Sequence, residues 1–272
     1  MRPNSFLRTR YWDKIANTLA KGQPFDELLA EQYRLVHLNL LNRWSTFPST
    51  STILKTDLFA EALCPSRAFT WDILNKGNSL VGIDCSPNIV NLARANTLDR
   101  TQSSSAQYVV SDLRQLPFAD NSFDLIISDS SLDHFDKKAE AGLALRELSR
   151  ILKRGGTLII TMDNKGNFTE PLFRLWIYLG LSSFFIGPSY TMKELNRMLN
   201  MAGLRVVSNT AIIHNPRFFT KILVSLLRKI HPTIFDKLIR NCLGSLDSLE
   251  KSKLKYCTAQ FIAAQAVKPL ST

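Results

Sequence analysis

Cysteine is scarce in this sequence. Cys64, Cys85, Cys242 and Cys257 are the whole complement in 272 residues. None is spaced C-x-x-C and no His/Cys cluster has zinc-ligand spacing, so neither a disulfide scaffold nor a metal site is expected. Thiols this few and scattered fit a reducing cytoplasm. Long apolar runs are missing too. The most apolar stretch, residues 175–187, is too short to span a bilayer and contains Ser182 and Ser183. The opening residues, MRPNSFLRTRYWDK, lack the apolar core of a signal peptide. Acidic side chains are outnumbered, 23 against 34 Lys and Arg, giving a net charge of +11. That balance suits an anionic ligand, a membrane surface or nucleic acid, and equally a solvated basic face.

What is present reads as one α/β unit with additions. Hydrophobic residues make up 45% of the chain, enough for a sizeable core. Phe25, Leu28, Leu29, Tyr33, Val36, Leu40 and Trp44 recur at helical spacing, and FPSTST then breaks the pattern. Short continuous apolar runs follow at 52–55, 80–84, 108–111, 123–128 and 157–162, as expected of strands buried on both faces of a parallel sheet. Ser86-Pro87 supplies an N-cap and an N1 proline for a helix over IVNLARA. Ala141, Leu145, Leu148 and Leu152 form one helical stripe, with Gly155-Gly156 as its expected stop. Residues 189–201 read as a helix, and 204–214 and 258–267 as strands. The expected fold is a doubly wound, mostly parallel seven-stranded sheet with N-terminal helices and a helical insertion before the last strand. The expected divisions are a cap over 1–50, a core over 51–166, a lid region over 167–202, core strands at 203–214 and 257–268, and a basic insertion over 215–256.

Ligands of such a sheet sit beyond the carboxyl ends of its strands. The second strand ends at Asp84, which suits the two hydroxyls of a ribose, or else the N-terminus of the next helix. The third ends at Ser111-Asp112-Leu113. Asp112 suits an adenine amino group with Leu113 packed on the ring, or an Asx-turn. The fourth runs into DSSLDHF, where Asp133 and His134 form a candidate acid/base pair. The alternative is that His134 caps or packs the following helix.

The segments VGIDCSPNIVNLARA, VVSDLRQLPFADNSFDLIIS and ALRELSRILKRGGTLIIT, in this order, resemble the class I methyltransferases of the ubiquinone/menaquinone type, called type 11. The resemblance covers roughly residues 52–164, with a weaker echo at TMKELNRMLNMAGLRVV. It implies S-adenosylmethionine as cofactor, its ribose on Asp84 with Cys85 alongside, its adenine on Asp112 and Leu113, and Asp129 near its methionine end. One departure stands out. Such proteins usually carry an acidic residue and a glycine-rich turn after the first strand, and glycines there let the backbone approach the cofactor. Here ILKTDLFAEA contains no glycine. In a rebuilt loop of this kind Lys55 pairs with the methionine carboxylate and Asp57 with its amino group, or the two pair with each other.

The acceptor is expected to be a small organic molecule, apolar or aromatic, because Phe168, Phe173, Trp176, Tyr178, Phe184, Phe185, Tyr190, Phe218 and Phe219 cluster in the segments beyond the core. Ordinary core packing is the competing reading of these rings. The insertion carries nine Lys/Arg against three Asp/Glu, with Phe218, Phe219, Ile222, Leu223, Leu226, Leu227 and Ile230 along one face. That face suits packing on the domain, or contact with the inner membrane surface by an otherwise cytoplasmic protein. A nicotinamide oxidoreductase is disfavoured because G-x-G-x-x-G is absent. Nucleic-acid methylation is disfavoured for want of an Asn/Asp-Pro-Pro-aromatic segment or a recognition module. The remaining alternative is a methyltransferase-fold protein without catalysis.

Overall fold

The computed structural model describes residues 5–19, 25–45, 50–74, 77–100, 105–180, 187–216, 220, 224 and 232–270. Seven strands form one sheet: β1 Thr52–Thr56, β2 Ser79–Asp84, β3 Ala106–Val110, β4 Phe123–Asp129, β5 Leu152–Asp163, β6 Arg205–Ile212 and β7 Phe261–Val267. Their order is β3-β2-β1-β4-β5-β7-β6. All pairings are parallel except those of β7, which runs antiparallel to β5 and β6. Order reverses between β1 and β4, which opens a crevice at their carboxyl ends.

The apolar runs became strands because both faces are covered. On one face Leu54, Ile126, Leu158 and Ile160 pack with Ala141, Leu145 and Leu148 of α6 (Lys138–Ile151) and with Leu195 and Leu199 of the helix Met192–Met201. On the other, Ile53, Leu125, Ile127 and Ile159 pack with Tyr33, Leu40 and Leu41 of α2 (Glu27–Trp44) and Ile73 and Leu74 of α4 (Thr70–Leu74). Each such buried aliphatic side chain contributes about 1.5–3 kcal/mol. Against the edge of β2 and β3, Ala16 of α1 (Ser5–Leu19) and Leu58 meet Ile89, Val90 and Ala93 of α5 (Pro87–Arg100).

The start of α5 shows how local sequence positions the N-terminal helix. Ser86 Oγ accepts the Ile89 N–H at 3.2 Å, the N-cap bond expected of Ser-Pro. The same hydroxyl donates to Asp13 of α1, whose carboxylate also takes the Asn88 N–H at 3.3 Å. The carboxylate thus sits on the positive end of the α5 dipole, and α1 is pinned over the sheet edge.

Three expectations need correction. Helix α6 stops at Ile151, before the glycine pair. Gly155 lies within β5 at φ +77° and its N–H reaches Lys268 O at 2.8 Å. A Cβ on Gly156 would meet Lys153 O at 2.8 Å, so the pair permits a close approach within the strand rather than capping a helix. The third strand begins at Ala106 and ends at Val110, leaving Ser111 in the turn. The last strand begins at Phe261, because residues Lys255–Thr258 form a short helix.

In the insertion, helix Pro232–Asp247 presents Ile239 and Leu243, which join Val224 against Leu28 of α2. Arg240 pairs with Glu31 at 2.7 Å along the same contact. The seven-residue apolar stripe expected between 218 and 230 lies outside the described residues, as do Phe184 and Phe185. No helix among the described residues is long and apolar enough to cross a membrane.

Candidate active site at the carboxyl edge

Two abutting cavities lie at the carboxyl ends of β1 to β4. The first, about 290 Å³, is lined by Asp84, Cys85, Val110, Asp112, Leu113 and His134, with Thr9 and Trp12 of α1 closing it. The second, about 340 Å³, is lined by Lys55, Arg67, Asp129 and Asp163 and by a ring of aromatics: Trp12, Phe25, Tyr33, Phe59, Phe173 and Phe261. Trp12, Asp57, Phe59 and His134 border both. Each volume lies near the lower end of the range for small-molecule sites, and together they suit an elongated ligand or two ligands side by side.

Asp84 is fixed by the backbone. Its two oxygens accept the Leu58 N–H at 3.1 Å and the Ser86 N–H at 2.9 Å. Each oxygen keeps a further lone pair for a ligand. Burial, and next the charge of Asp57, push its carboxyl up to about 7. Asp112 accepts the Arg114 N–H at 2.9 Å, an Asx-turn, and is held by the Arg114 guanidinium through bonds of 2.6–3.1 Å. Both carboxylates therefore face one cavity on rigid supports, with Leu113 and Cys85 beside them.

The turn after β1 solves a glycine's problem without glycine. Asp57 stands at φ 67°, a left-handed conformation that costs an ordinary L-residue on the order of 1 kcal/mol. Its side chain offsets part of that cost by accepting the Phe59 N–H at 2.7 Å. Leu58 is fully buried, over Gly82 of β2, where an added Cβ would lie 2.7 Å from the leucine. Its bulk is thereby turned away from the cavities, while Asp57 and Phe59 stand at their junction.

Lys55 does not ion-pair with the Asp57 carboxylate. Its ammonium bonds the Asp57 carbonyl and lies 3.1 Å from Glu61, a fully buried carboxylate. Burial lowers the Lys55 pKa, but the carboxylates of Glu61, Asp57 and Asp129 outweigh it and the net shift is upward. The lysine expected for the methionine carboxylate is thus largely engaged by protein.

Asp129 is anchored from the far face of the sheet. It accepts from Tyr33 Oη at 2.7 Å and Thr161 Oγ1 at 2.9 Å. His37 Nε2 lies 3.1 Å away, off the line of a full hydrogen bond. Burial alone would raise its carboxyl, yet His37, Arg67 and Lys55 together hold it far below the usual carboxylate range.

The structure separates the expected acid/base pair. His134 lines both cavities, edge-on to Trp12 at 5.1 Å, and its Nδ1 has no hydrogen-bond partner. Asp133 is fully buried and lines neither cavity; it accepts from Ser130 Oγ at 2.8 Å and from the Asp163 N–H at 2.6 Å. Successive residues in a tight turn point apart, so adjacency in sequence did not bring the two side chains together. Of the aromatic walls, Phe173 reaches the second cavity. Phe168 and Tyr178 are 66% and 86% exposed, and Tyr190 is core.

Comparison with known proteins agrees with this geometry. The family model described as a methyltransferase domain matches residues 61–160, beginning just past the glycine-less turn. That segment is a methyltransferase domain of type 11. Its cofactor is S-adenosylmethionine. The O-methyltransferase resE of Aspergillus sclerotiorum is 28% identical over 189 residues, covering 68% of each chain. The ubiquinone/menaquinone C-methyltransferase UbiE of Ectopseudomonas mendocina is 32% identical, covering 35% of this chain and 39% of UbiE. The match thus spans about two fifths of UbiE. The fold extends further. The [4+2]-cyclase SpnF superposes with a TM-score of 0.62 at 18% identity, covering 99% of this chain and 97% of that one.

Trp12, Phe59, Tyr33, His37 and Arg67 were not singled out in sequence as parts of this site. Tyr33 and His37 carried one signal, a polar pair four residues apart on an otherwise apolar helical face. Arg67 carried none, since its turn, Pro65–Arg67, reads as an ordinary loop.

Proposed function

We propose that the chain moves the methyl group of S-adenosylmethionine to a small apolar or aromatic organic acceptor seated in the second cavity. The observation that supports this most is the join between the cavities. A chamber carrying two fixed carboxylates opens, past Trp12 and Phe59, beside a chamber walled by aromatic rings. The two curated relatives are named for transfer to oxygen and to carbon, which agrees with an organic acceptor.

When bound, the cofactor supplies an activated methyl group on a sulfonium, and transfer is an in-line displacement that chiefly requires alignment. Asp84 accepts the ribose hydroxyls with Cys85 alongside. Asp112 and Leu113 hold the adenine. Asp57 and Asp129 lie on the methionine side. Trp12 and Phe59 keep water from the junction. His134, at the junction of the cavities, takes the proton of an oxygen or carbon acid. Asp133 acts one step back, tying the turn that carries His134 to β5. The N-terminal helices serve as a cap, because Thr9, Trp12 and Tyr33 all reach the cavities. The packing of Ile239 and Leu243 on α2 favours the insertion as part of the domain wall over a membrane-facing role.

Incubation with methyl-tritiated cofactor and a panel of phenols, quinols and apolar carboxylic acids tests this reading. Label in the organic extract, lost in His134→Gln for oxygen acceptors, is the expected result. Label moving only to sugars or free amino acids would overturn the acceptor class.

A further inference from the structure

Two basic side chains of the Lys/Arg type line the second cavity, and they differ in one respect. Lys55 has Glu61 at 3.1 Å. Arg67 has no carboxylate within ion-pair distance among the described residues. Its guanidinium stacks over the Tyr33 ring, 3.4 Å from the centroid, and its Nε is buried without a hydrogen-bond partner. Tyr33 offers it one hydroxyl oxygen, which already donates its proton to Asp129, and the charges of Asp129 and Asp57 act on it from beyond ion-pair distance. Stacking fixes the plane of the guanidinium in the wall of the chamber. An arginine with a buried, unsatisfied N–H is costly unless an anion completes it. Paired guanidinium N–H groups match the two oxygens of a carboxylate, and the aromatic floor desolvates the pair.

We infer that Arg67, on its Tyr33 platform, is a carboxylate-binding subsite of the second cavity. Two ligands bring a carboxylate there: the methionyl end of the cofactor, which lacks a glycine loop to hold it, or an acceptor bearing an acid group. The inference rests on the proposed function, since it takes this cavity as the place where the two ligands meet.

The test uses the full chain and Arg67→Met, with Arg67→Lys as the charge-preserving control and melting curves to confirm folding. In one arm, S-adenosylhomocysteine is titrated against 5′-deoxy-5′-methylthioadenosine, which has the nucleoside and sulfur but no amino acid. In the other, benzoate is titrated against benzamide with S-adenosylhomocysteine present. Loss of the carboxylate partner should weaken the acid ligand by between about 10-fold and 100-fold, with its uncharged counterpart unchanged and Arg67→Lys intermediate. A selective loss for S-adenosylhomocysteine assigns the subsite to the cofactor. A selective loss for benzoate assigns it to the acceptor. Equal losses within each pair, or no loss in either arm, would overturn the inference. Failure of the wild-type protein to bind S-adenosylhomocysteine at all would instead remove the underlying cofactor reading.

Discussion

The two cavities are assembled differently. At the first, Asp84 ends β2 and Asp112 lies just past β3; each is held by a residue two positions on, Asp84 by Ser86 and Asp112 by Arg114, and Asp84 also by Leu58 of the turn after β1. At the second cavity the partners of Asp129 come from far apart in sequence, Tyr33 of α2 and Thr161 of β5, while Lys55 of β1 meets Glu61 of α3 (Phe59–Leu63) six residues on. The Asp129 cluster thereby ties α2, β4 and β5 together, so a change in any one of them acts on the same carboxylate.

The largest effect expected from this contrast is on stability. Lys55→Ala should destabilise the fold by about 3–5 kcal/mol in denaturant titration, because Glu61 would be left charged and buried. Pairing it with Glu61→Leu should recover most of the loss. Recovery of less than about 1 kcal/mol would mean that the two residues are not an energetic unit.

Next comes Asp84→Asn, which keeps an acceptor but loses the charge. Calorimetry with S-adenosylhomocysteine should show a loss on the order of 100-fold, from two weakened charge-assisted bonds. Unchanged affinity would detach Asp84 from the ribose. Trp12→Ala should cost about 10-fold in affinity for both cofactor and acceptor, since the ring borders both chambers. A loss confined to one ligand would place the junction elsewhere.

The smallest effect is the most diagnostic. The Asp84 carboxyl is raised to about 7, by burial first and Asp57 second. Its protonated form is the one the folded chain prefers. Its contribution to stability is therefore complete below the ordinary carboxylate pKa and lost as pH rises through about 7. The proposed ribose role needs the ionised form, so affinity should run the other way and strengthen as pH rises through that value. Asp57→Gly removes the second cause and relieves the φ 67° conformation. The midpoint of the affinity profile should move to lower pH, with stability changed by no more than about 1 kcal/mol. An unmoved midpoint would uncouple the two carboxylates.

The same contrast explains what could be read from sequence. Strand runs, the Ser86 cap and the α6 stripe are local patterns, and they placed the sheet and the two carboxylates that line the first cavity. Gly155-Gly156 misled because glycine serves a helix end and a crowded strand equally well, and only the contact with Asp124 and Lys268 distinguishes them. Asp133 and His134 were legible as chemistry but not as geometry, since a tight turn decides which of two neighbours faces the ligand. Arg67 and Trp12 were invisible, because each acquires its role only when α1 and the segment after α3 fold over the sheet edge.

A structure with S-adenosylhomocysteine bound decides the matter most directly. Both ribose hydroxyls should lie about 3 Å from the Asp84 oxygens, with adenine against Leu113. A nucleoside found outside that chamber, or one whose hydroxyls turn away from Asp84, would contradict the assignment of the carboxyl edge.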